Sequence, residues 1–158
     1  LFRSQAMRYK GYVSDTLRAN AEEYGFLIAT AKDLGDKELV FGSEINGEDK
    51  LNYTPDNVKF VYGAAYIKDS RDLIFDNDRV NERIGFAGAL TGIKAANYDS
   101  VLVGRTYVKV DGNYYYGETI SKSIREVAKE IKARADYDSL EESVKNVIDN
   151  IVSDTSAQ

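Results

Sequence analysis

The chain has 158 residues, 43% hydrophobic and 30% charged, which suits one domain with an appendage and a core that needs no disulfide or metal. Cysteine, histidine and tryptophan are absent, which excludes thiol nucleophiles, histidine triads, thiolate or imidazole zinc sites and disulfides. The net charge is −5 and no basic stripe stands out, which argues against nucleic acid as the main partner; no apolar run approaches the ~20 residues that span a bilayer, so membrane insertion is not expected.

In chain order, residues 2–9 read as a first strand. Residues 14–23 are polar with some helical character, Leu17 and Ala21 lying four apart. Residues 24–30 form a short apolar run, the pattern of a buried strand, and 37–41 a second short strand. Residues 43–56 hold Gly47, Asp49, Asn52 and the single proline, Pro55, and read as a loop. Residues 58–67 are aromatic and β-branched, hence a strand. Residues 69–82 are highly charged and read as a surface loop or short helix. Residues 84–90 form a glycine-rich apolar strand, and 91–100 a connection.

The strongest local pattern is the pair of segments 101–110 and 113–120 around Asp111-Gly112. A type I′ turn needs positive φ at both central residues, and Asp-Gly supplies it at low cost. The turn predicts Lys109 opposite Tyr114, Tyr107 opposite Tyr116 and Arg105 opposite Glu118, with Val108 and Tyr115 on the other face. Beyond residue 120 the composition shifts to Glu, Lys, Ala and Ile. Ser123 with Glu126, and Ser139 with Glu142, are capping-box patterns, each followed by an apolar stripe at helical spacing. These elements predict a mainly β fold: an antiparallel β-sandwich, jelly-roll or Ig-like, over residues 1–120. Two C-terminal α-helices over 121–153 would be packed on it, with a disordered tail at 154–158.

Three stretches carry a family resemblance: residues 24–30, residues 85–93 (Gly-Phe-Ala-Gly-Ala-Leu-Thr-Gly-Ile), and 103–110 continued by 114–118 and 123–128. Together they resemble an uncharacterised β-sandwich accessory module of large secreted or cell-wall proteins of clostridia and ruminococci, found beside cellulosomal or surface-anchoring domains. The resemblance spans roughly residues 20–130 and implies a secreted, extracellular or cell-wall setting and an accessory role. It supplies no catalytic residues. The start at Leu1 fits a piece cut from a longer precursor.

Tyr107, Tyr114 and Tyr116, with Arg105, Lys109 and Glu118, form the candidate ligand-binding face. Phenol rings suit stacking on sugar rings, and the charged groups suit hydroxyls. The plainer reading is a cross-strand core pair, Tyr107 with Tyr116, and an ordinary Arg105–Glu118 ion pair. Two acidic stretches offer oxygen ligands for calcium: Asp76, Asp78 and Glu82, and Glu44, Glu48, Asp49 and Asp56. The first lacks the glycine and full spacing of an EF-hand loop, the second would equally suit a ligand hydroxyl, and solvent exposure is the favoured reading of both. Gly85, Gly88 and Gly92 do not make a phosphate loop, because no lysine follows in the required spacing. No cofactor is expected, and the chain reads as no enzyme. The leading expectation is a non-catalytic accessory module of a secreted bacterial multidomain protein, with carbohydrate binding through the tyrosine-rich β surface as its candidate activity. The alternative is a structural or protein-interaction module, whose partner would be another protein module rather than a polysaccharide.

Overall fold

The computed structural model describes residues 5–41, 44–45, 48–49, 64–68, 79–80 and 83–154. Strand β1 (Gln5–Ser14) ends where the Ser14 hydroxyl accepts the Leu17 N–H and starts helix α1 (Asp15–Asn20). Strand β2 (Glu23–Thr30) ends the same way: Thr30 accepts the Asp33 N–H and opens the single-turn helix α2 (Ala31–Leu34), which Gly35 closes at φ 63°. The strand expected at 37–41 does not form. That segment is an irregular connection whose Leu39 is buried and whose Phe41 packs on a sheet face.

Two-residue strands β3 (Glu44–Ile45) and β4 (Glu48–Asp49) pair within the stretch expected to be loop. Strand β5 (Ala64–Lys68) is followed by the short β6 (Arg79–Val80) and the long β7 (Arg83–Ile93). A 3₁₀ turn, Ala95–Asn97, leads to the hairpin β8 (Leu102–Val110) and β9 (Asn113–Lys122). Asp111 and Gly112 take φ 51° and 77°, the type I′ geometry that the dipeptide favours. Helix α3 (Ile124–Lys132) begins with the complete Ser123/Glu126 capping box. Helix α4 (Glu142–Ser153) begins later than its pattern predicts: Ser139 closes a 3₁₀ turn, Tyr137–Ser139, and Glu141 is the N-cap.

The strands form a three-stranded sheet, β1-β7-β6, a four-stranded sheet, β5-β2-β8-β9, and the β3-β4 pair, all antiparallel. The expected β-sandwich is therefore corrected to a small mixed α/β fold, with four helices among the described residues. The reason is coverage. A sandwich needs two sheets of comparable width. Among the described residues the smaller sheet has two long strands, β1 and β7, beside the two-residue β6, against four strands in the other sheet. Helices α3 and α4 supply the rest: Ile124, Ala128, Ile148 and Ile151 join Met7, Tyr9, Val13, Phe26 and Ile28 in one buried cluster.

Strand β2 explains its own unbroken apolar run. Phe26 and Ile28 point into that main cluster, while Leu27 and Ala29 point the other way into a second cluster with Leu34, Leu39, Val103 and Tyr107. Both faces are covered, so no polar alternation is needed. Each such fully buried large side chain contributes about 1.5–3 kcal/mol.

Arg125 ties the helices down. Its guanidinium, buried among α3, α4 and the 98–99 turn, donates to Asp99 Oδ1 at 2.7 Å and to the carbonyls of Ile151 at 2.6 Å and Val152 at 3.1 Å. These carbonyls belong to the last turn of α4, where a cation also meets the negative end of the helix dipole.

Candidate functional site

The hairpin turn sets the first two predicted pairs, and both form: Lys109 lies opposite Tyr114, and Tyr107 opposite Tyr116. The third does not. Arg105 lies opposite Thr119, because Gly117 and Glu118 together oppose Thr106 in a β-bulge. Gly117 sits under the Thr106 hydroxyl, where a Cβ would collide with Oγ1. The predicted Arg105–Glu118 pair is thus replaced: Arg105 Nη1 meets Glu38 Oε1 at 3.2 Å, and Glu118 is exposed.

The tyrosine face is covered by the segment after α2. Tyr107 is 1% exposed and donates to Glu23 Oε2 at 3.3 Å. Phe41 packs edge-on against Tyr107, centroids 4.9 Å apart, and stacks on Tyr114 at 4.3 Å. The Phe41 N–H donates to the Tyr116 hydroxyl at 3.0 Å. Arg105 lies over the Tyr116 ring at 4.8 Å, while its Nε donates to Gly117 O at 2.6 Å and its Nη1 reaches Leu39 O at 3.4 Å. Lys109 Nζ stands 5.4 Å from the Tyr114 ring centre and 4.0 Å from Glu23 Oε1. Burial holds the Tyr116 hydroxyl above the usual phenol range, partly offset by the Phe41 N–H. The five predicted residues other than Glu118 therefore bind the chain to itself: Tyr107 is buried, and Tyr114 and Tyr116 are half-buried with Phe41 and Arg105 packed on them.

The exposed apolar side chains of β9 lie elsewhere. Tyr115 is 49% and Ile120 50% exposed, both on β9 and both on the face opposite Tyr107. Two adjoining clefts run between β1 and the β8–β9 hairpin, of about 540 Å³ and 320 Å³. The first is bordered by Gly104, Glu118 and Ile120, the second by Val13, Leu17 and Tyr115. A polar cleft of about 660 Å³ on the other face of β9 holds Lys37, Glu38, Arg105, Glu118, Thr119 and Ser121. Among the described residues β9 has a strand neighbour on one side only. Alternation had already placed Tyr115 on the opposite face. What the sequence did not signal is that this face reaches solvent at a sheet edge.

Among the described residues no three acidic side chains gather as a metal site. The calcium ligands proposed from sequence lie outside the described side chains. Among the described residues Asp136 and Asp149 are held below the usual carboxylate range, by hydrogen bonds from Arg134 and from Tyr137 respectively. No described helix is long and apolar enough to cross a membrane. Comparison with protein-family models, curated proteins and solved structures finds no match to this chain.

Proposed function

We propose that the chain is a non-catalytic protein-interaction module of a larger secreted bacterial protein, with β9 as its contact edge. The observation that carries this reading is the exposure of Tyr115 and Ile120 along an edge strand, beside the clefts that separate it from β1. Exposed apolar side chains on an unpaired strand edge are a recurring means of binding another chain. The covered tyrosine face weighs against stacking on sugar, because a sugar platform needs free ring faces. The absence of cysteine and histidine supports a role without thiol or imidazole chemistry. The secreted setting rests on the resemblance carried by residues 24–30, 85–93 and 103–128.

Affinity electrophoresis in gels containing cellulose, xylan or peptidoglycan fragments tests the reading. The expected result is unchanged mobility with each. Retardation that Tyr115→Ala abolishes would return the module to carbohydrate binding.

A further inference from the structure

The β9 edge carries a symmetry that its sequence alone conceals. Tyr115 lies opposite Val108 and Ile120 opposite Gly104. Val108 and Gly104 are an even number of residues apart on a regular stretch of β8, so they share a face, and so do Tyr115 and Ile120. In an unbroken strand two residues at that odd spacing would point to opposite faces. The bulge at Gly117 and Glu118 absorbs the difference. It also lies midway between the two exposed apolar side chains.

We infer that β9 pairs with β9 of a second copy of this chain, antiparallel, with the two-fold axis at the Gly117–Glu118 bulge. Residues directly opposite each other in a sheet must share a face. Self-pairing of a regular strand satisfies this only when a residue lies opposite its own copy or one an even number away. Across the bulge the rule inverts. The pairing then sets Tyr115 opposite Ile120, Tyr116 opposite Thr119, Tyr114 opposite Ser121 and Asn113 opposite Lys122, and every pair matches in face. The two-fold axis makes the Tyr115–Ile120 contact twice, as an isologous interface requires.

Charge is compatible with this register. Glu118 falls opposite Gly117, Lys122 falls opposite Asn113 and diagonal to Asp111 of the other copy, and no like charges stand directly opposed. A bulge ordinarily blunts a strand edge. Here both bulges meet at the axis, so each arm of the ladder, residues 113–116 against 119–122, remains regular. A single strand pair buries less than the ~1,200 Å² of stable complexes, so association in the micromolar-to-millimolar range is expected. The inference rests on the interaction reading above, with the second copy as the partner.

The chain has no cysteine, which permits a clean test. Tyr115→Cys and Ile120→Cys are made separately, and circular dichroism melting is used to check that each folds as the parent does. Opposite positions bring Cβ atoms to ~4.5–5.5 Å, within disulfide reach, whereas the two positions within one strand are ~16 Å apart. Under mild oxidation the mixture of the two variants is expected to give a disulfide-linked dimer several-fold faster than either variant alone. In sedimentation the parent is expected to show a concentration-dependent dimer that Ile120→Lys removes. Equal cross-linking in the mixture and the single variants, or a parent that stays monomeric to ~1 mM, would overturn the inference. Neither result touches the polysaccharide gels, on which the interaction reading is judged separately.

Discussion

Tyr9 lies flat enough over Gly104 to take the place of a side chain there: a Cβ on Gly104 would overlap Cε1 and fall 2.8 Å from Cδ1. The ring is 6% exposed and packs against Phe26 at 5.8 Å, so it has little room to withdraw. Gly104→Ala should therefore destabilise the chain by about 1–3 kcal/mol through overpacking, read from urea unfolding midpoints at constant slope.

Phe41→Ala should do two separable things. It should cost roughly 1–3 kcal/mol, less than a fully buried phenylalanine, because Phe41 is half-buried. It should also uncover Tyr107, which nitration with tetranitromethane and mass spectrometry would detect. Tyr107 is expected to be protected in the parent and modified in the variant, while Tyr115 is modified in both.

Arg125→Leu should cost roughly 2–4 kcal/mol, because it leaves the last-turn carbonyls of α4 without their charged donor. Asp99 is 56% exposed and can return to water. Lys122→Ala, which breaks the exposed pair with Glu130, should cost under ~1 kcal/mol. Hydrogen exchange should show the Arg125 loss concentrated in α4.

Alkaline pH should weaken the fold. Burial pushes the Tyr9 hydroxyl from 10.0 to about 12. A raised value means that the unfolded chain loses its proton first. The contribution is then intact below pH 10 and falls away as pH rises toward 12. Tyr9→Phe should flatten part of that decline at little cost below pH 10, since among the described residues the hydroxyl donates to Met7 Sδ at a long 4.0 Å. Tyr137, pushed up to about 12 by its hydrogen bond to Asp149, should retain the remainder.

At the acid end the sign reverses. Asp149 is lowered first by the hydrogen bond from Tyr137 and next by Lys132. Its contribution is present above the usual carboxylate value and is lost as pH falls through the lowered one. Tyr137→Phe should move the Asp149 titration upward, followed by the carboxyl carbon chemical shift.

The hairpin was legible because Asp111-Gly112 is a local instruction, and the register it dictates holds as far as Tyr107 and Tyr116. It fails at Arg105 because the bulge depends on Thr106 crossing over Gly117, a contact between strands that no periodicity encodes. The capping box at Ser123 was legible for the same reason as the turn, and the one at Ser139 lost its residue to a 3₁₀ turn ending there. The plainer reading of Tyr107 with Tyr116 as a core pair already pointed to burial at Tyr107, but what covers the face could not be read. Its cover, residues 35–41, holds the stretch 37–41 that reads as a strand but folds as an irregular connection, and only folding brings Phe41 onto Tyr114. The sandwich expectation failed on coverage: counting strands did not reveal that helices α3 and α4 pack into the main buried cluster.

The strand pairings also bear on how the chain finds its fold. Tyr9 faces Gly88 and Phe26 faces Thr106, so the ladders of β1 with β7 and β2 with β8 close long stretches of chain before any hydrogen bond compensates the lost entropy. Among the described long strands only β8 and β9 adjoin in sequence. Refolding should nucleate there: substitutions at Val108 should slow refolding, while those at Met7 should mainly speed unfolding.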